Sequence, residues 1–207
     1  RWGNTAEQII KSNPYVLCIQ GVDLSFSRAD AVAAKSDIPA DSECRIKAGI
    51  TYILRQNADQ GHTCLPLDSL VKTAVSYLDV DEKLIKKVIE DETEEENLYY
   101  YDKHGRRFVM LADFYKAEDY IARRLAIMRQ ISYDNKIDFS EVIDLEEENN
   151  GIQYEKIQRE AINLALSKGF LVLTGGPGTG KTTTLNAIIS LYQQQGLNVM
   201  ICAPTGR

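Results

Sequence analysis

The chain has 207 residues, 44% of them hydrophobic, and a formal net charge of −6. That is long enough for one large domain or two small ones with a real core, and it excludes a chain disordered throughout or a wholly basic nucleic-acid coat. Cys18, Cys44, Cys64 and Cys202 are scattered, with no Cys-x-x-Cys pair, so a zinc site is not expected even though His62 lies two residues before Cys64. No apolar run approaches the ~20 residues of a membrane span, and the N-terminus lacks a secretion signal. Reduced thiols and a cytoplasmic setting are the expectation.

Thr5-x-x-Gln8 has the form of a capping box, and its helix must stop near Asn13 because Pro14 follows. A short helix is predicted over 26–35, with Ala29, Val32 and Ala33 on one face. Another follows Pro39, where Ile46, Ile50, Ile53 and Leu54 recur at helical spacing. Residues 1–60 thus form a helical domain. From Gly61 the pattern changes. Leu67, Leu70, Val71, Ala74, Val75 and Leu78 mark one amphipathic helix, and Leu84, Ile85, Val88 and Ile89 a second. Two β-prone runs, 98–101 and 108–111, then flank Asp102-Lys-His-Gly-Arg-Arg107, which predicts a hairpin with a basic tip. A longer helix is expected over 114–131. Helix, helix, hairpin is the order of a winged-helix unit, assigned here to 61–133. The acidic, Asn/Gly-containing stretch that ends at Gly151 is taken as a linker, 134–151.

Beyond Gly151, Ile157, Ala161, Leu164 and Ala165 predict a helix that ends at Gly169 as its C′ glycine. Phe170-Leu-Val-Leu173 and Asn198-Val-Met-Ile-Cys-Ala203 read as buried parallel strands around a helix over 182–195, one β-α-β unit within 152–207. Gly175-Gly-Pro-Gly-Thr-Gly180-Lys181-Thr182 fills the pattern G-x-x-x-x-G-K-[ST] completely. Glycines permit positive φ and a close approach of backbone N–H groups to phosphate. Gly176, Gly178, Thr179 and Gly180 would form that cradle, and Thr183 in the first helix turn would also hold the nucleotide. Lys181 is the candidate catalytic cation for the β- and γ-phosphates, and the Thr182 hydroxyl is placed for Mg²⁺ held with ATP.

The block 157–162 with the P-loop and Ala203-Pro-Thr-Gly-Arg207 resembles the opening of a superfamily 1 DNA helicase motor, especially that of the RecD-like helicases. Asn13-Pro-Tyr15 and Gly61-His-Thr-Cys-Leu-Pro66 resemble the N-terminal region of the same family. The resemblance implies a truncated α/β, RecA-like motor start preceded by helix-hairpin-helix-like and winged-helix-like domains. It also implies ATP-driven 5′ to 3′ movement on single-stranded DNA and unwinding of tailed duplexes. Gln158 would read adenine, and Pro204, Thr205 and Arg207 would touch the strand. Ile19-Gln-Gly21-Val-Asp23 falls where the family has its hairpin turn; Gly21 suits phosphate, whereas the Asp23 carboxylate opposes it. Arg1 is not an initiator methionine, and the reading is of part of a longer protein, with little turnover expected from these residues alone. An AAA-type loader, a kinase, or a winged-helix regulator that senses nucleotide are the competing classes.

Overall fold

The computed structural model describes residues 3–18, 24–36, 38–131 and 139–203. They form two compact units, 1–119 and 120–207.

In the first unit, α1 (Ala6–Ser12) stops where Pro14 begins a short 3-10 turn, as expected of a proline that cannot continue the ladder. The capping box is not formed: Thr5 has helical φ/ψ, is the last residue of a 3-10 turn and makes no cap hydrogen bond through its side chain. Helix α2 (Phe26–Ala33) is shorter than expected and buries Phe26, Ala29 and Ala33, leaving Val32 36% exposed. Helix α3 (Glu43–Asp59) buries the anticipated Ile46, Ile50, Ile53 and Leu54 together with Gly49. It packs on α4 (Leu67–Leu78) and α5 (Glu82–Glu94), whose apolar stripes complete one core. Burial of each such Leu, Ile or Val side chain stabilises by roughly 1.5–3 kcal/mol, so this three-helix contact dominates the unit.

A strand not anticipated from sequence, β1 (Cys64–Pro66), precedes α4. It joins β2 (Leu98–Lys103) and β3 (Arg106–Leu111) in a three-stranded antiparallel sheet of order β1-β3-β2. The Asn57 amide donates to the carbonyls of His62 and Cys64 and so fixes the entry to β1. Leu98, Val109 and Leu111 turn one sheet face to the helical core. The hairpin turn is tighter than the predicted six residues. Only His104 and Gly105 lie outside the ladder, both at positive φ (50° and 73°), which is the backbone of a two-residue hairpin loop.

Polar ties stiffen this unit. The Arg45 guanidinium donates to both oxygens of Asp30 at 2.8 and 3.2 Å, and the Tyr15 hydroxyl donates to the same carboxylate at 2.5 Å. Arg45 and Tyr15 hold Asp30 below the usual carboxylate range, with burial opposing them. A carboxyl depressed in the fold contributes stability that is present above its unfolded value of about 3.9 and lost as pH falls through the folded value. Asp30→Asn should therefore lower stability by about 1–2 kcal/mol at pH 7. The gap from wild type should narrow as pH falls from about 3.9 through the folded value, as read from urea midpoints at pH 7 and across the acid range.

Gly49 is required by contact, not by φ: a Cβ there would lie 2.5 Å from Cδ2 of the buried Leu78. Gly49→Ala gains about 1 kcal/mol of helix propensity but overpacks a filled core, a cost of roughly 1–3 kcal/mol. A net loss of about 1 kcal/mol in denaturant unfolding is expected. A stabilised variant would contradict that packing argument.

Helix α6 (Ala112–Gln130) begins in the first unit and ends in the second, where the expected linker contains a helix, α7 (Ser140–Asn150), followed by α8 (Lys156–Ser167). Ile143 and Glu146 of α7 are buried, and Gly151 ends the helix at φ 61°. In α8 the buried face is Ala161, Ile162, Ala165 and Leu166; Ile157, placed on the stripe from sequence, is 79% exposed. Gly169 is not a left-handed cap. The helix ends at Ser167, and a Cβ on Gly169 would lie 2.7 Å from the Met128 carbonyl oxygen, so close backbone approach is what demands glycine.

The two motor strands expected at 170–173 and 198–203 are not formed. Neither run pairs as a strand among the described residues, and Val172, Met200 and Ile201 are exposed. A parallel strand exists only through neighbours that take its N–H and C=O groups, and one helix between two runs supplies none. The P-loop helix itself, α9 (Lys181–Gln194), is present in full.

Candidate functional site

The core of the second unit is what presents the glycine-rich loop. Ala187, Ile188 and Leu191 of α9 pack against Ile162, Ala165 and Leu166 of α8 and Ile143 of α7, with Tyr154 beside them. The Tyr192 hydroxyl donates to the Ala165 carbonyl at 2.5 Å, tying the two helices side by side. Helix α7 is fastened by charge. Arg159 on α8 pairs with Asp144 at 2.5 Å and Glu147 at 2.6 Å, and Glu147 also accepts the Tyr154 N–H. The buried Glu146 carboxylate accepts from Asn150 and, at 2.7 Å, from Gln194 of α9.

The loop preceding α9 takes the conformation its glycines allow. Gly178 and Gly180 both have φ 74°, a region that costs other residues roughly 1–2 kcal/mol, and Gly180 is the N-cap of α9. No side chain caps that helix end. Its first-turn N–H groups and the positive end of the helix dipole are thus left to an anion. Space around Gly176 and Gly178 is open: a Cβ on Gly178 would meet nothing within 4 Å, and one on Gly176 only the Thr179 methyl at 3.9 Å. Thr179 folds its hydroxyl onto the Gly176 carbonyl at 2.9 Å, closing the loop on itself. The Lys181 ammonium lies over the loop, donating to the Gly175 carbonyl at 2.7 Å and to that of Gly176. Thr182 is exposed in the first turn and Thr183 half-buried behind it. This donor set fits a nucleotide polyphosphate: backbone N–H groups and one cation for the anion, and a hydroxyl for a metal bound with it.

Two residues support the loop in ways the sequence reading missed. Thr184 is 2% exposed, and both its N–H and its hydroxyl donate to the Gly180 carbonyl, at 2.9 and 3.0 Å. The available signal was the run of three threonines after Lys181, in which the third falls one turn past Gly180 and can bond back to it. Glu155 caps α8 in a reciprocal box with Gln158, whose side-chain oxygen accepts the Glu155 N–H at 2.9 Å. Glu-x-x-Gln was legible, but glutamate is not among the strongly preferred caps.

That box aims Gln158 at the loop. A Cβ built on Gly180 would collide with the Gln158 side-chain nitrogen, so Gln158 and the P-loop are in contact. Lys181, Gly176, Gly178, Thr179, Gly180, Thr182, Thr183 and Gln158 therefore share one region at the start of α9. Pro204, Thr205 and Arg207 lie outside the described residues, as do Gly21 and Asp23.

Gly180→Ala should fail twice, from positive φ and from Gln158. We expect a nucleotide affinity at least tenfold weaker, by titration with a fluorescent ATP analogue, and a lower melting temperature. Gln158→Ala added to it should recover part of the melting temperature. No recovery would mean the two residues do not meet.

Comparison with known proteins finds matches at both ends of the chain. Residues 1–64 match the model of the ATP-dependent RecD2 DNA helicase HHH domain, and residues 158–207 match that of an AAA domain. The chain is 26% identical over 194 residues to the ATP-dependent RecD2 DNA helicase of Deinococcus radiodurans, a match that covers 89% of this chain and 27% of that protein. It is 46% identical over 57 residues to the RecBCD enzyme subunit RecD of Mycolicibacterium smegmatis, over 24% of this chain and 10% of that one. The DNA-binding protein SMUBP-2 of Mus musculus is 49% identical over 49 residues, 23% of this chain and 5% of that protein. The chain thus spans about a quarter or less of the length of these relatives, and it is similar to RecD-like helicases in its N-terminal region and at the start of the motor domain.

Proposed function

We propose, from that similarity and from the loop geometry, that this chain is the N-terminal part of an ATP-dependent DNA helicase. The observation that carries the reading is the loop itself. Gly178 and Gly180 in left-handed conformation open the N-terminus of α9, with Lys181 over the same cradle.

In this reading the N–H groups of 176–182 bind the β- and γ-phosphates of ATP, and the helix dipole supports them. Lys181 leaves the Gly175 and Gly176 carbonyls for phosphate oxygens and stabilises charge as the phosphoryl group departs. Thr182 ligates the Mg²⁺ that accompanies the nucleotide. Gln158, held beside Gly180 by its bond to Glu155, offers an amide that can both donate to and accept from adenine. Pro204, Thr205 and Arg207 touch the DNA strand, and the parent moves 5′ to 3′ on single-stranded DNA and opens tailed duplexes. The order β1, α4, α5, β2, β3 with sheet order β1-β3-β2 supports a winged-helix arrangement for 61–133, with 1–60 as the helix-hairpin-helix-like domain before it. A cytoplasmic setting, where ATP and DNA meet, suits this work. Among the described residues no helix is long and apolar enough to cross a membrane.

The test is ATP turnover by the full-length parent with and without single-stranded DNA, beside Lys181→Ala. We expect strong stimulation by DNA and a fall of at least ~100-fold in the variant, the scale on which a lost transition-state donor acts. Turnover indifferent to DNA would sink the helicase reading and favour a loader or a kinase.

A further inference from the structure

The three-stranded sheet has two faces, and only one belongs to the core. Leu98, Tyr100, Val109 and Leu111 point to the helices. The opposite face carries Tyr99 and Met110, then Tyr101 and Phe108, then Lys103 and Arg106, as successive cross-strand pairs, with Cys64 and Pro66 of β1 alongside. The start of α6 covers the half nearest the hairpin base. Tyr115 stacks on Tyr99 with ring centres 4.1 Å apart and planes within 4°, Glu118 accepts from Thr63 at 2.5 Å, and Met110 is 3% exposed.

The half nearest the tip is open. Tyr101 is 44% exposed with Phe108 tilted against it at 6.4 Å, and a shallow hollow walled by His62, Cys64, Pro66 and Phe108 adjoins the pair. One step on, Lys103 and Arg106 are exposed and, among the described residues, carry no ion pair. Arg107, on the other face, is already taken by Asp102 and stacks over Tyr100.

We propose that this open half-face binds single-stranded DNA, a base lying on Tyr101 and Phe108 and the adjoining phosphates on Lys103 and Arg106. Exposed aromatic rings beside unpaired cations are the elements of a strand-binding platform, since every base has a π-face and every linkage a charge. A duplex fits less well, because its base faces are already stacked. The acidic run at the end of α5 does not cancel the attraction. It joins β2 at Leu98, five residues and about 17 Å from Lys103 along the strand, roughly twice the screening length at physiological salt. The two-residue turn holds the cations at the end of a stiff ladder, so little conformational freedom is lost on binding. The proposal deepens the helicase reading by giving its N-terminal unit a strand contact separate from the motor.

The experiment compares the full-length parent with its Tyr101→Trp variant, titrated with a labelled oligothymidylate whose anisotropy reports total binding, the difference in tryptophan emission between the two proteins reporting on position 101. We expect saturable quenching of the new tryptophan. We also expect Lys103→Ala with Arg106→Ala to reduce the slope of log K against log salt by about 1.4, two single-strand phosphate contacts. Tyr101→Ala should weaken binding roughly five- to hundredfold, and Tyr101→Phe should restore it. Full anisotropy without quenching, or an unchanged salt slope, would overturn the proposal while leaving the motor reading intact. Equal quenching by a blunt duplex would overturn its single-strand character. No anisotropy change at all would remove both readings together.

Discussion

Everything at the phosphate loop depends on the packing of α9 against α8. A helix N-terminus attracts an anion wherever it stands, but a loop of small residues has almost no side chains with which to fix itself. Here its position comes from behind: Ala187, Ile188 and Leu191 bury against Ile162, Ala165 and Leu166, and Tyr192 ties the two backbones together. Thr184 then fastens Gly180 to the first turn, and Gln158 closes on the same glycine from α8. The absent Cβ at Gly180 serves both the left-handed turn and this close contact, which is why one residue joins the capping of α8 to the geometry of the cradle.

Helix α7 completes that arrangement from a stretch whose composition is that of a solvated linker. Its carboxylates are put to structural use: Asp144 and Glu147 clamp Arg159, and Glu146 receives Gln194 and Asn150 instead of a cation. Among the described residues this buried carboxylate is met by amides, which satisfy its hydrogen bonds and fix the register of α7 on α9. In the first unit, β3 has the corresponding place. It is the shared strand of the sheet, with one face in the helical core and the other divided between α6 and solvent.

The P-loop was legible because its chemistry is local: the glycines, Lys181 and Thr182 act through backbone torsions and through neighbours a turn away. Amphipathic helices such as α3, α4 and α5 were legible for the same reason, since period and burial agree along one element. Apart from the local slips at the Thr5 cap and the hairpin turn, where the reading erred the deciding partner was distant in sequence. Ile157 has the right spacing for the stripe of α8, but the contact with α9 selects Ile162 and Leu166 instead. Gly169 stands where a cap glycine should, yet it is the Met128 carbonyl that excludes a side chain. The apolar runs at 170–173 and 198–203 have strand composition, and composition cannot supply a neighbouring strand.

By itself, then, the sequence determined the glycine-rich loop at the head of α9, the helical N-terminal region, the hairpin and its basic tip, because each is written in residues close enough to interact directly. Only the tertiary structure decided that a presumed linker braces the P-loop helix, that Gln158 reaches Gly180, and that a three-residue strand completes a sheet with one half-face left open. Those are contacts between segments tens of residues apart. Their energies come from shape and from paired polar groups, and the order of residues along the chain specifies neither until the helices have packed.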